Sequence, residues 1–417
     1  MNFFNKKLFS YSTSVKFYLI GTFISSIGDG MFSLAVSKLA FDKTGTVAGV
    51  GGVIIIQSIT MFSLNLLAGY VADAYDSKKI SIYSDLIQAI LIILYAFSLI
   101  YLNGGSLLLF LLTTVISCIS PFFRAANFKL LPEIDRKDLS LVKLNGLRSS
   151  VKQGGLLLGS TLIAPFIFLN LLSLTFLLNG ISFLISCLCT YRIILTSTTK
   201  EGRIEPLSKI SEIYKSWFSL VKELFLNHKV FFLVLFSTFD YLTINFINLI
   251  GVKYAETVLH NSAFISLIDG GYAAGAIISF LVINIVFSKC DFNYISWVGL
   301  FVQGIMIILM NYFSTAYSTF ILIFIIGVFT GTSISLFQTI LHKGISQKFH
   351  GKISSFRDMM VSGETLCIIP IFSYIINFDF KRGILIFGIL ILTLSSILAW
   401  LGLIKYFPSI KLRENGE

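Results

Sequence analysis

The stretch Phe17–Phe41, FYLIGTFISSIGDGMFSLAVSKLAF, contains only two residues that are normally charged at neutral pH, Asp29 and Lys38. About 20 mainly apolar residues are enough for a helix to cross the hydrocarbon core of a bilayer. The stretch is too long for the apolar region of a secretory signal peptide, and no small-residue cleavage site follows a short core. It therefore predicts a first transmembrane helix with a carboxylate near its middle.

The rest of the chain repeats this pattern. Hydrophobic residues make up 55% of the 417 residues and charged residues 13%, which is too little polar surface for a soluble protein of this size. Twelve apolar stretches of spanning length are predicted, at 17–41, 47–70, 80–102, 106–128, 147–169, 171–195, 230–252, 263–287, 294–313, 317–341, 354–376 and 383–406. The predicted fold class is an all-α integral membrane protein with two pseudo-symmetric bundles of six helices.

One polar interruption divides the two bundles. It predicts an N-terminal bundle at 1–195, a cytoplasmic linker at 196–229 and a C-terminal bundle at 230–417. Within the linker, apolar residues recur at helical spacing, at Ile210, Ile213, Trp217, Leu220 and Leu224. This spacing predicts an amphipathic helix on the inner membrane surface, and a tether between bundles explains it better than a regulatory role. Six plus six helices is the layout of a repeat-built transporter.

The basic residues predict the orientation. All but five of the 32 Lys and Arg residues fall on the side of the amino terminus; the exceptions are Lys38, Lys43, Lys253, Lys381 and Arg382. The positive-inside rule then places both termini in the cytoplasm of a multi-pass protein in the cell (inner) membrane. The net charge of +11 is explained by topology and by contact with anionic lipid headgroups. Nucleic acid is excluded as a partner because no soluble domain remains to bind it.

Acidic residues inside the apolar segments are the main functional signal. A carboxylate at the bilayer centre costs about 2.5–3.5 kcal/mol on insertion scales, and its neutral form is favoured at low dielectric. Asp29, Asp240 and Glu364 are therefore predicted to couple transport to protons. For Asp29 a permanent structural pairing is the alternative. Asp29 and Asp240 are expected to face one cavity. Glu364 and Asp269 are the weaker candidates, and each can either pair with Arg357 or approach a water-filled vestibule.

Five residues are predicted to contact the substrate: Asp240, Arg124, Gln57, Tyr241 and Asn245. For Arg124, pairing with a carboxylate, binding of an anionic substrate group and snorkelling to the inner surface remain alternatives. No Walker loop and no metal-ligand cluster occurs in the sequence. We therefore expect no cofactor, no metal and no enzymatic activity, with an ion gradient as the energy source. The predicted partners are a small-molecule substrate, protons and membrane lipids.

Several motifs resemble those of a known family. The stretch Gly69–Lys79, GYVADAYDSKK, is similar to the signature G-x-x-x-D-x-x-[GD]-R-[RK] of the major facilitator superfamily. Four further stretches resemble its branch of macrolide efflux proteins and enterobactin-type siderophore exporters, namely Ile24–Asp29, Thr44–Gly45, Phe122–Asn145 and Gly351–Ile353. Several positions depart from the pattern: Ser77 stands where the signature has Arg, and Ser160 replaces a Pro in a stretch resembling the antiporter motif. Ala164-Pro165 follows there instead of a Gly pair, and Ala125 replaces a Pro often seen in the exporter branch.

The resemblance implies a major facilitator fold and a monomer that works by alternating access. It implies proton-coupled export, by antiport, of a hydrophobic or amphipathic molecule such as a drug, a macrolide or a siderophore, and hence multidrug resistance or siderophore export. The alternatives are a proton-coupled importer and a non-transporting membrane partner protein. The sequence does not choose among these substrates.

The signature loop is predicted to act as a gate. Its residues are Gly69, Asp73, Asp76, Lys78 and Lys79, with Asp85 further along the next helix. Asp73 and Asp76 are expected to accept hydrogen bonds from backbone N–H groups at a helix start. Lys78 and Lys79 are expected to reach lipid headgroups or Asp85. Such a latch closes the cytoplasmic side and breaks as the halves move; the alternative is an ordinary turn with solvated charges.

Overall fold

The computed structural model describes residues 11–102, 104–135, 139, 141–196, 228–289, 292–344 and 350–403. Over these ranges the chain is almost entirely helical. The helices are α1 Thr13–Thr44, α2 Val47–Ala74, α3 Ser77–Tyr101, α4 Ser106–Glu133, α5 Leu141–Leu162, α6 Ala164–Phe168, α7 Leu172–Tyr191, α8 His228–Phe236, α9 Phe239–Thr257, α10 Ile265–Lys289, α11 Phe292–Leu309, α12 Ala316–Gly344, α13 His350–Phe378 and α14 Phe380–Leu403. A short 3₁₀ helix, Ser262–Phe264, precedes α10.

The number of apolar helices agrees with the predicted fold class. In the described part of the chain, 11 helices are long and apolar enough to cross a membrane, and a shorter apolar segment, Trp297–Leu309, lies in α11. These correspond one to one with the twelve predicted spans. The amphipathic helix predicted in the linker falls within 197–227, which lies outside the described residues.

Two predicted spans are interrupted. The span predicted at 147–169 is divided between α5 and α6 at Ile163, because Pro165 occupies the first turn of α6 and lacks the N–H that a continuous helix would use. The span predicted at 230–252 is divided between α8 and α9. There the Ser237 hydroxyl donates to the Val234 carbonyl at 2.6 Å. Such local bonds compete with the helical ladder.

The described helices form two compact units. The first unit falls within Met1–Thr44 and Ile59–Ile210, and the second within Gly45–Ser58 and Ser211–Glu417. In the first unit, glycines bring α1 and α5 into close contact: a Cβ on Gly159 would lie 2.1 Å from the Ile27 carbonyl oxygen, and one on Gly155 would lie 2.7 Å from Ser26 Cβ. The small residues of the stretch resembling the antiporter motif therefore fix the distance between α1 and α5.

The second unit uses the same device between α10 and α12. A Cβ on Gly275 would lie 2.1 Å from the Phe324 carbonyl oxygen, and one on Gly327 would lie 2.2 Å from the Tyr272 carbonyl oxygen. Aromatic rings fill the core between α9, α13 and α14, where Phe246 and Phe387 stack with ring centroids 3.7 Å apart and Phe372 packs edge-on against both. Both units are thus held by close helix contacts and a dense apolar core.

Candidate functional site

A polar cavity lies inside the first unit. It has a volume of about 170 Å³ and is lined from α1, α3, α4, α5 and α7. The lining residues are Tyr18, Thr22, Ser25, Ser26, Asp29, Gln88, Ser120, Phe123, Arg124, Asn127, Arg148, Lys152, Phe183, Ser186 and Thr190. Thirteen of these fifteen are polar or charged, and only two phenylalanines are apolar. Within a membrane-spanning bundle, such a lining is suited to water and hydrophilic solutes.

Helical spacing explains why these side chains converge. On α1, Tyr18, Thr22, Ser25 and Asp29 recur at intervals of three and four, so they share one face. Similar intervals separate the lining residues of α4 and α7. The close α1–α5 contact at Gly159 then brings the polar face of α1 next to α5. The cavity therefore follows from periodic polar positions combined with small residues at the helix contact.

Asp29 lies in this cavity beside positive charge. Lys152 on α5 interacts electrostatically with Asp29, and also with Arg148 and Arg124. Neither Asp29 nor Lys152 forms an ion pair or a side-chain hydrogen bond with another described residue. The structure thus shows Asp29 facing a polar space, and it shows no permanent partner for this carboxylate among the described side chains.

Arg124 also lines the cavity. Its guanidinium donates to the sulfur of Met61 on α2, and its side chain is exposed at the cavity wall. The side chain of Arg124 thus lies at the cavity, where the sequence predicted a substrate contact.

Asp85 on α3 is buried close to this cavity. It has 0% exposure, and neither carboxylate oxygen has a hydrogen-bond partner among the described residues. The prediction that Lys78 or Lys79 reaches Asp85 is wrong as a hydrogen-bonded contact. The Lys78 ammonium instead donates to the Ile193 carbonyl at 2.8 Å and lies 5.7 Å from the centre of the Tyr191 ring. The side chain of Lys78 runs toward the end of α7, away from the interior where Asp85 is buried.

The signature loop forms a well-capped turn. Asp76 caps α3 and accepts hydrogen bonds from the backbone N–H groups of Lys78 at 2.8 Å and Lys79 at 3.1 Å. The Ser77 hydroxyl donates to the Glu133 carboxylate on α4 at 3.2 Å. Asp73 lies in the last turn of α2, and its side chain is outside the described set. At Gly69 an added Cβ would meet nothing within 4 Å, so this glycine serves no close contact within the structure.

In the second unit, Asp240 is enclosed. It has 0% exposure. The Gln303 side-chain amide on α11 donates to one carboxylate oxygen at 2.8 Å, and the Ser333 hydroxyl on α12 donates to the other at 2.5 Å. Asp240 therefore joins α9, α11 and α12 through hydrogen bonds, and its geometry is that of a structural carboxylate.

The other residues predicted in this unit also have partners. The Asn245 amide donates to the Thr365 hydroxyl at 2.8 Å, and the Arg357 guanidinium lies 5.8 Å from the centre of the Tyr241 ring. Gln57 is exposed on the part of α2 that belongs to the second unit.

Of the two alternatives for Glu364, the structure does not show the pairing with Arg357. Glu364 on α13 accepts a hydrogen bond from the Thr238 hydroxyl at 2.6 Å, and its second oxygen is buried without a partner in the described structure. The ion pair that Arg357 does form is with its neighbour Asp358, at 3.8 Å. Thr238 sits at the break between α8 and α9, so Glu364 stabilises that break.

Sequence reasoning missed two cavity residues, Arg148 and Lys152. Both fall at the start of the span predicted at 147–169 and were counted only as inner positive charges. Their spacing of four residues puts them on one face of α5, and this signal was present in the sequence. Gln303 and Ser333 were also missed, because nothing local marks them as partners of Asp240.

A sequence model described as the Major Facilitator Superfamily matches residues 18–363. The chain belongs to the major facilitator superfamily. This family relationship and the helix count together establish a multi-pass membrane protein with the facilitator fold, and they indicate a transporter rather than an enzyme. No protein of curated function matches the sequence.

Solved structures show the same facilitator fold. A crystal structure of the nucleoside transporter NupG has a TM-score of 0.73 at 15% identity, covering 95% of this facilitator and 99% of NupG. An aspartate-to-alanine mutant of NupG has a TM-score of 0.74 at 13% identity, covering 94% of this chain and 100% of the other. At these identities the likeness concerns the fold alone. Among the described residues, no group of three or more His, Cys, Asp or Glu side chains could hold a metal ion.

Proposed function

We propose that this facilitator is a proton-coupled secondary transporter of a small, hydrophilic organic molecule, which binds in the cavity of the first unit. The observation that carries the proposal is the lining, in which thirteen of fifteen residues are polar or charged. The charged groups of this wall favour a solute with polar groups of its own, because a hydrophobic drug would cover them without replacing their hydrogen bonds to water. A polar solute can form such bonds with Arg148 and Lys152. The polar lining therefore favours a small hydrophilic solute over the macrolides that the sequence resemblance suggested.

Uptake is the direction that this proposal favours. The structurally similar proteins are nucleoside transporters, and a nucleoside is one example of a small polar solute. Export remains the second candidate, because Ile24–Asp29 and Gly351–Ile353 resemble the exporter branch. We place the protein in the cytoplasmic membrane as a monomer with both termini inside, on the distribution of its basic residues.

Asp29 is proposed as the proton-coupling group. It faces the polar cavity and interacts electrostatically with Lys152, so binding or release of its proton changes the charge of the solute site. Asp240 is assigned a structural role instead, since both of its oxygens accept hydrogen bonds inside the second unit.

The signature loop is proposed to keep the inner end of the first unit rigid. The Asp76 cap, the Ser77–Glu133 bond and the Lys78–Ile193 bond join the start of α3 to α4 and to the end of α7. A bundle tied at this end can move as one body, as alternating access requires. Gating by breakage of these bonds is the alternative for the same contacts.

Transport by purified protein in liposomes tests the proposed function. A pH gradient would be imposed in either direction, with labelled uridine, erythromycin or an iron-free catechol siderophore as the solute. We expect accumulation of uridine, or of another small polar solute, on the alkaline side of the membrane. Accumulation of erythromycin or the siderophore on the acidic side would instead establish export, and transport of no solute would favour a non-transporting partner.

The Asp29→Asn variant tests the coupling group. It should reduce solute accumulation driven by the pH gradient more than tenfold. Exchange of solute across the membrane in the absence of a gradient should persist. The matched control is Asp379→Asn, because Asp379 lies outside the cavity and caps the Arg382 backbone N–H at 3.0 Å, which an Asn can also do. Full coupling in the Asp29→Asn protein would remove Asp29 from its assigned role.

A further inference from the structure

We infer that the transported solute carries an anionic group, a carboxylate or a phosphate, which is bound by Arg124, Arg148 and Lys152. This inference rests on the proposed binding of solute in the cavity of the first unit. The three cations line that one cavity of about 170 Å³, and they do so from two helices that are part of the same compact unit.

The arrangement of the three cations suits an anion. Arg148 and Lys152 are one helical turn apart on α5 and share a face, and Arg124 faces the same space from α4. Lys152 interacts electrostatically with both arginines, so the three charges are close enough to act on one bound group. Two guanidinium groups can bind a carboxylate or phosphate through paired N–H donors, and an ammonium adds a compact charge.

Two of the cations face the cavity without a fixed counter-charge. Arg148 and Lys152 form no ion pair with any described residue, and Asp29 is the carboxylate among the described lining residues. Like charges held one helical turn apart repel one another. An anionic solute group removes that repulsion, whereas a neutral solute leaves it in place.

Snorkelling does not account for this cluster. A snorkelling side chain directs its charge away from the protein interior to the interface, whereas these three side chains line an internal cavity with Tyr18, Asn127 and other polar groups. The side-chain amide of Asn127 in the same wall can donate an additional hydrogen bond to an oxyanion. The cavity therefore combines the charge and the donors that a carboxylate or phosphate needs.

The test compares solutes that differ only in charge. Thermal unfolding of the purified full-length protein would be measured at constant ionic strength with two series: uridine, orotidine and uridine 5′-monophosphate, and glucose, glucuronate and glucose 6-phosphate. We expect at least one anion to raise the unfolding midpoint at concentrations where its neutral counterpart has no effect. The carboxylate and phosphate members show which group is bound. Equal effects of neutral and anionic members, or no effect of any, would overturn the inference.

Variants locate the site. Arg148→Gln and Lys152→Gln should each lower the affinity for the stabilising anion at least tenfold. The matched control is Arg192→Gln at the exposed end of α7, which should bind as the parent does. If a Gln variant fails to fold, Arg148→Lys and Lys152→Arg keep the charge and should retain the anion response. Tenfold weakening by Arg192→Gln, or unchanged binding in both Gln variants, would place the anion elsewhere.

These outcomes separate the two proposals. If a pH gradient drives transport of uridine or glucose but no anion raises the unfolding midpoint, the proposed function is supported and the anionic site is not. If the Gln variants lose anion binding but the parent protein shows no proton-dependent transport, the anionic site is supported and the proposed proton coupling is not.

Discussion

Asp29 in the first unit and Asp240 in the second are both aspartates in predicted membrane helices, yet Asp29 is half-buried, Asp240 is fully buried, and their surroundings differ. Asp29 faces a cavity with polar walls and three cations, without a hydrogen-bond partner among the described side chains. Asp240 has 0% exposure and hydrogen bonds to Gln303 and Ser333. The comparison teaches that an acid in a membrane helix is a candidate for function where it faces a cavity without fixed partners. Where its oxygens accept hydrogen bonds from other helices, as in Asp240, it holds a helix contact.

Substitution of the glycines at close helix contacts should cause the largest loss of stability. It also tests whether the two units depend on the same kind of contact. Gly159→Ala in the first unit and Gly275→Ala in the second each place a Cβ 2.1 Å from a carbonyl oxygen of a neighbouring helix. Each should destabilise its unit by about 1–3 kcal/mol or more, because the backbones must separate. Thermal unfolding in detergent measures the change.

Gly69→Ala is the control for these two substitutions, since its Cβ would meet no described atom within 4 Å. Stability should stay level or rise by up to about 1 kcal/mol, because alanine is a better helix former than glycine. A loss at Gly69 equal to that at Gly159 would show that the close contact is not the cause.

The two aspartates should separate stability from transport. Asp240→Ala leaves the amide of Gln303 and the hydroxyl of Ser333 without their acceptor, so unfolding should become easier by about 1–3 kcal/mol. Asp29→Ala should destabilise the protein less than Asp240→Ala does, because no described hydrogen-bond donor loses its acceptor, while abolishing proton-driven accumulation. Unfolding midpoints and liposome transport, measured on the same preparations, check both halves of this expectation. A destabilised Asp29→Ala protein beside an unaffected Asp240→Ala protein would reverse the assignment.

A smaller effect is expected at the signature loop, which has no described counterpart in the second unit. Asp76→Ala removes the cap that binds the N–H groups of Lys78 and Lys79, with a loss of about 1 kcal/mol. Asp76→Ser retains a capping oxygen and should recover most of that stability. Unfolding midpoints of the three proteins give the comparison. Equal losses in both variants would mean that Asp76 acts through its charge.

Much of the fold is predictable because hydropathy and length are local properties. Each membrane helix must satisfy its own backbone hydrogen bonds, so an apolar stretch such as Phe17–Phe41 forms a helix whatever surrounds it, and α1 extends over Thr13–Thr44. The cap at Asp76 is local as well. The break at Ser237–Thr238 was missed, since hydroxyls that bond back to the preceding turn compete only slightly with a continuous helix.

The sequence by itself determined the class of protein, the twelve apolar segments and the presence of acids inside them. The tertiary structure alone decided that Asp29 faces a cavity, that Asp240 meets Gln303 and Ser333, and that Lys78 bonds Ile193 instead of Asp85. The physical reason is the range of the interactions. A helix forms from contacts within four residues, whereas the partner of a buried charge is set by which faces of distant helices pack together.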